Sequence, residues 1–81
     1  MPEQEEISSS QKLYEILHLS SFGTAKLSIG IRLGLSKNDL DSYFNYLQRN
    51  RLIEISDSES GKIAYITGRG KQVFKRISQH F

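Results

Sequence analysis

Two asparagines, a serine and an arginine recur at helical spacing within the stretch LSKNDLDSYFNYLQRNRLI, residues 35–53. At about 100° per residue, Asn38, Ser42, Asn45 and Arg49 fall on one face of a helix. Amides, a hydroxyl and a guanidinium are groups that can hydrogen-bond to base edges in duplex DNA. The alternative interpretation is an ordinary solvated helix face, which carries the same residue types.

The helix that would position these side chains has a clear start signal. Ser36 can accept a hydrogen bond from a free amide of the first turn, and Asp39 lies near the positive end of the helix dipole. The residues expected to face the core recur at i, i+3, i+4, i+7 and i+11, and they are Leu40, Tyr43, Phe44, Leu47 and Arg51. We therefore predict an amphipathic helix that turns its polar face outward.

Two helices are predicted before it. Residues 1–8 are expected to form a flexible acidic tail, and residues 9–81 form the domain, whose first helix starts at the serines 8–10. Thr24 is the expected N-cap of a second helix that runs from Ala25 to about Leu33, with Leu27 and Ile31 facing inward. A glycine inside that helix, Gly30, indicates close approach of the next helix. Gly34 then ends it, so two short helices meet at a turn containing glycine.

A β-hairpin and a last helix are predicted after it. The strands are expected at residues 51–56 and 62–66, joined by the loop at residues 57–61, in which Gly61 supplies positive φ. Thr67 can cap a final helix over residues 68–78. The predicted fold class is α+β, mainly α, in the order helix, helix, helix, strand, strand, helix.

Charge is distributed unevenly along the 81 residues, whose net charge is only +2. Residues 1–23 hold four glutamates against one lysine, whereas residues 51–81 hold six basic residues against three acidic ones. This asymmetry favours an anionic partner that approaches the later elements, although an ordinary solvated surface explains it equally well.

Several functional classes are disfavoured by what the sequence contains. It has no cysteine, and its two histidines, His18 and His80, are far apart, so we expect no metal site, no cofactor and no enzymatic activity. No apolar run approaches the roughly 20 residues of a membrane span, and the N-terminus is acidic where a secretory signal would be basic. A cytoplasmic protein without a small-molecule ligand is the simplest expectation.

Two sequence segments combine with the predicted order of helices and strands to suggest a family. They are LSKNDLDSYFNYLQRNRLIE, in the third helix and first strand, and YITGRGKQVFKRI, in the second strand and last helix. The first resembles the recognition helix and first strand of winged helix-turn-helix proteins. The second is similar to the start of the closing helix in many archaeal members, including small ones encoded by viruses and plasmids. The resemblance covers roughly residues 9–78. It implies sequence-specific binding to double-stranded DNA, a homodimer and transcriptional regulation.

When the family's DNA-contacting positions are matched to this sequence, the resemblance implies a surface that reads bases and a set of contacts to the DNA backbone. The DNA-contacting residues that it implies are Thr24, Lys26, Ser36, Lys37, Asn38, Asp41, Ser42, Asn45, Arg49 and Lys62. Within this set, Lys37 and Arg49 suit phosphates, and Lys62 is the only basic residue next to the wing turn. The wing tip departs from the family pattern, since it carries Asp57 and Glu59 and no arginine.

The first and last helices are the expected dimer contact, because the chain ends in an apolar Phe81 on an amphipathic helix. A frayed terminus explains Phe81 equally well. The acidic wing and the modest net charge also fit a different function, a winged helix that binds proteins within a transcription or replication assembly.

Overall fold

Four helices and three short strands make up the chain in the computed structural model, which describes the backbone of residues 2–79 and the side chains of residues 11–79. The elements in chain order are α1 Pro2–Ser20, β1 Thr24–Ala25, α2 Lys26–Leu33, α3 Lys37–Arg49, β2 Ile53–Ser58, β3 Gly61–Ile66 and α4 Gly68–Ser78. The α+β, mainly α fold class and the order of its long elements are confirmed. Phe81, the expected dimer contact, lies outside the described residues.

Helix α1 begins at Pro2, six residues before the start expected at Ser8. Proline suits the first turn because the amide that it lacks would have no partner inside the helix. The predicted start was therefore wrong, whereas the division into a flexible tail and a domain stays a prediction.

A third strand, β1, is absent from the prediction. It pairs antiparallel with β3, which lies between β1 and β2, through Thr24 opposite Ala64 and Ala25 opposite Ile63. Thr24 is therefore not the N-cap of α2. Ala25 occupies that position without a side-chain hydrogen bond, and the Thr24 hydroxyl instead donates to the Leu19 carbonyl at 2.6 Å.

The hairpin is tighter than expected, because β2 and β3 stay paired as far as Ser58 opposite Gly61. Only Glu59 and Ser60 remain in the loop, whose geometry is supported by the Ser58 hydroxyl. That hydroxyl donates to the Gly61 carbonyl at 2.9 Å and accepts from the Ser60 amide at 3.2 Å. Gly61 has φ +115°, which confirms that the turn needs glycine at this position.

The core lies between α1, α2, α3 and one side of the sheet. Its buried side chains are Ile16, Leu17, Ile29, Leu40, Phe44, Leu47, Leu52, Ile53 and Ala64. The predicted stripe of α3 is confirmed at Leu40, Phe44 and Leu47 but wrong at Arg51. That residue is exposed, and it follows the end of α3 with φ +60°.

The inward face of α2 was predicted wrongly. Leu27 and Ile31 are 73% and 82% exposed, whereas Ile29 is fully buried. The apolar residues of this helix alternate at positions 27, 29, 31 and 33, so two opposite faces carry the same i, i+4 pattern. Among the described residues, no helix is long and apolar enough to span a membrane.

Two glycines permit close packing between elements. A Cβ on Gly30 would lie 2.9 Å from Leu40 Cδ2, which confirms the predicted approach of α3 to α2 at this point. A Cβ on Gly70 would lie 2.0 Å from the backbone carbonyl oxygen of Leu52. Helix α4 therefore packs against the start of the hairpin at a distance that only glycine allows. The N-cap of α4 is Thr67, whose hydroxyl accepts from the Gly70 amide at 2.9 Å.

We predict that Gly70→Ala destabilises the fold by about 3 kcal/mol, since its methyl group would displace backbone rather than a flexible side chain. Gly68→Ala is the matched control, because a Cβ there meets nothing within 4 Å. Urea denaturation of both variants measures the difference. Equal stability of the two variants would contradict the close approach of α4 to Leu52.

Candidate nucleic-acid interface

The outward face of α3 presents the polar residues that the sequence placed there. Asn38, Ser42, Asn45 and Arg49 are all exposed. The start of the helix is fixed as predicted, because the Asp39 amide donates to the Ser36 hydroxyl at 3.2 Å. The Ser36 hydroxyl thus has a capping role in the free protein. A rigid, capped helix carries this polar row on the side opposite the core.

Cations occupy both ends of the same helix. Lys37 is its first residue and Arg49 its last, and both are exposed. At 1.5 Å rise per residue they stand about 18 Å apart along the axis. This separation exceeds the width of the major groove of B-DNA, which is about 12 Å.

Lys26 and Asp41, two further residues predicted to contact DNA, form an ion pair with each other. The Lys26 ammonium donates to Asp41 Oδ1 at 2.7 Å and lies 5.2 Å from the centre of the Phe44 ring. The hydrogen bond from Lys26 holds the pKa of the Asp41 carboxyl below its ordinary value, and the charges of Lys26 and Lys37 lower it further. The carboxylate is therefore ionised at neutral pH. This pair joins the start of α2 to the edge of the polar face of α3.

The remaining predicted contacts lie near the wing and the sheet. Thr24 is half-buried in β1, with its hydroxyl bound to Leu19. Lys62, on β3 next to the turn, forms an ion pair with Asp57 at 3.0 Å. Both partners are largely exposed, so this pair contributes little to stability and leaves Lys62 free to exchange partners.

An apolar groove opens beside this surface, and sequence reasoning missed it. Its volume is about 610 Å³, and its walls come from α2, the start of α3 and the wing turn. The exposed Leu27 and Ile31 line it, and Lys26, Lys37 and Lys62 also contribute to its lining. The sequence held no signal for it, because Gly30 lies at the same angular distance from the face of Ile29 and Leu33 as from the face of Leu27 and Ile31.

Comparison with solved structures identifies the architecture. A variant of Lactococcus lactis ZitR superposes with a TM-score of 0.75 at 20% identity, over 86% of this chain and 51% of that one. PcaV of Streptomyces coelicolor, a transcriptional regulator in complex with its natural ligand, gives 0.73 at 20% identity, over 82% and 50%. A MarR-family transcriptional regulator from Silicibacter pomeroyi gives 0.74 at 20% identity, over 90% and 50%.

The fold is a winged helix. The predicted resemblance is thereby confirmed, because these neighbours are winged-helix transcriptional regulators. The chain spans about half the length of the structures it matches. No protein-family model and no curated protein matches it. An archaeal, viral or plasmid origin stays a prediction.

We predict that Lys26→Met raises the pKa of the Asp41 carboxyl, because it removes the hydrogen-bond donor that lowers it. An NMR titration of the carboxyl carbon measures the change. Lys37→Met is the control, since it removes only a more distant charge and should raise this pKa by less. Folding lowers the pKa of the Asp41 carboxyl, so the ion pair stabilises the fold fully at pH values above the ordinary pKa of an aspartate. This stabilisation is lost as the pH falls through the lowered pKa of the folded state. An unchanged pKa in Lys26→Met would contradict the pairing.

Proposed function

We propose that this protein is a sequence-specific double-stranded DNA-binding transcriptional regulator that acts in the cytoplasm and inserts α3 into the major groove. The observation that carries the proposal is the exposed row of Asn38, Ser42, Asn45 and Arg49 on a capped helix. Burial of the opposite stripe of α3 fixes the rotation of the helix, so this row always faces outward. A winged-helix fold shared with transcriptional regulators supports the same function.

The proposed contacts follow from the chemistry of each side chain. Asn38 and Asn45 suit bidentate hydrogen bonds to adenine, and Ser42 can bind a base or a phosphate. Lys37 and Arg49 suit phosphates on either side of the groove. Asp41 can accept from a cytosine amino group.

Other groups are proposed to contact the DNA backbone rather than the bases. The N-terminus of α2, next to Thr24, can offer free backbone amides to a phosphate. The N-terminus of α3, at Ser36, can offer free backbone amides in the same way. Lys62 is the cation nearest to the wing turn. Because Asp57 and Glu59 are exposed beside it, we propose that the wing contributes little affinity.

A homodimer built on the first and last helices completes the proposal. Two copies would place their α3 helices in successive major grooves, with half-sites about 34 Å apart. In one chain, the Tyr14 ring of α1 stacks on Phe74 of α4 with 4.8 Å between centroids. The neighbouring Phe22 is 72% exposed, and its ring contacts His18 edge-on. This aromatic surface supports a contact at that end of the molecule, and sedimentation velocity measures the oligomeric state.

We predict that Asn45→Ala reduces discrimination between DNA sequences, because it removes a bidentate base contact worth about 1–3 kcal/mol at one base pair. Sequences retained from a random duplex pool by the wild type and by the variant measure the change. Gln72→Ala is the control, since it removes an exposed amide from α4. If both variants select the same sequences as the wild type, Asn45 does not read a base.

We predict a different effect for Arg49→Ala, because a phosphate contact carries no sequence information. The affinity of this variant should fall by a similar factor for every duplex, and the slope of log affinity against log salt should become shallower by about 0.9 for each subunit bound. Titrations of random and genomic fragments at several salt concentrations measure both quantities. A loss confined to one sequence would instead place Arg49 on a base.

A second candidate function is a protein-interaction module, and the apolar groove favours it. Exposed Leu27 and Ile31 form an apolar surface that phosphates do not need, but that suits side chains of a protein partner. The same DNA titration separates the two functions. If no duplex is retained even at low salt, the regulator proposal is wrong, and the groove becomes the surface on which to map partners.

A further inference from the structure

The Lys26–Asp41 pair lies beside the surface that would meet DNA. Asp41 stands four residues after Lys37 and four before Asn45, so all three lie along one row of α3. Only 22% of the Lys26 side chain is exposed, because its ammonium is held between the Asp41 carboxylate and the Phe44 ring. The cation that begins α2 is therefore paired within the chain, at a half-buried position on the surface.

Neutralisation of this lysine matters because phosphate contacts supply most of the affinity for random DNA. Each phosphate that a free cation neutralises releases counterions, which gives binding its dependence on salt. A lysine already paired with a carboxylate gains little from a phosphate. The carboxylate also repels phosphates that come within the Debye length, about 8 Å at physiological salt.

We propose that Asp41 is a specificity-determining residue that withholds Lys26 from the DNA backbone and so lowers affinity for random duplex more than for the preferred site. This inference rests on the proposed function and assigns a role within it. At the preferred site the Asp41 carboxylate can accept from a cytosine amino group, which offsets its repulsion of phosphates. On other sequences the repulsion has no compensation, so discrimination increases.

The first test is Asp41→Asn, titrated against random duplex DNA over a range of salt concentrations. For each subunit bound, one released cation should steepen the slope of log affinity against log salt by about 0.9 and raise affinity about eightfold at 0.1 M salt. Affinity for the preferred site should rise by less, so the specificity ratio falls. Asp39→Asn is the charge-matched control, because Asp39 lies on the same helix and makes no ion pair within the described part of the chain.

The second test asks whether the effect passes through Lys26. In the Lys26→Met background, Asp41→Asn should raise affinity for random duplex by clearly less than in the wild type, because no lysine is released and only the direct repulsion of phosphates by the carboxylate is lost. Thermal unfolding by circular dichroism shows that each variant is folded at the temperature of the titration. A merely structural role of the pair would alter the melting temperature without altering the salt slope.

Three outcomes would overturn the inference: no gain from Asp41→Asn, an equal gain from Asp39→Asn, or a gain that persists in full without Lys26. Failure of the proposed function gives a different pattern. If the wild type binds no duplex but Asp41→Asn gains salt-sensitive binding, Asp41 restrains phosphate binding in a protein that is not a DNA reader. If neither protein binds duplex at low salt, both the function and the inference are wrong.

Discussion

Burial of one stripe of α3 is the constraint on which the rest of the structure depends. Leu40, Phe44 and Leu47 are at most 5% exposed, and they fix the rotation of the helix about its own axis. Gly30 contributes to this arrangement, because its missing side chain lets Leu40 pack directly against α2. Once that rotation is set, the residues at spacings of three and four on the opposite side must face solvent. The presentation of the polar row is therefore a consequence of core packing.

Elements with strong local signals could be predicted from the sequence. The Ser36 and Thr67 caps, the glycine in the hairpin turn and the stripe of α3 each depend on residues within one or two turns of each other. Strand β1 could not be predicted, since two residues leave no periodic pattern and its existence depends on β3, about 40 residues later. The prediction of which face of α2 is buried failed for a related reason. The alternating apolar residues of this helix fit two orientations, and only the tertiary packing that buries Ile29 decides between them.

In the candidate site, too, the features set by local sequence could be predicted and those set by tertiary contacts could not. The sequence indicated which residues of α3 face outward, because helical spacing alone determines that. It could not show that Lys26 and Asp41 neutralise each other, since they are 15 positions apart and meet only when α2 packs against α3. Assigned separately, the two residues counted as two contacts with DNA. Together they form an ion pair within the chain, which sets one cation against one anion beside the polar face of α3.

The electrostatics of a single chain make a second copy important for the proposed function. With Lys26 paired and the wing acidic, Lys37 and Arg49 are the cations at the ends of the α3 polar row. Two phosphate contacts give a slope of only about 1.8 in log affinity against log salt, so these two cations supply a small electrostatic contribution to affinity. Two copies on one duplex would double the number of these contacts and of the base contacts as well. A regulator built in this way would bind weakly to most sequences and firmly only where both half-sites are present.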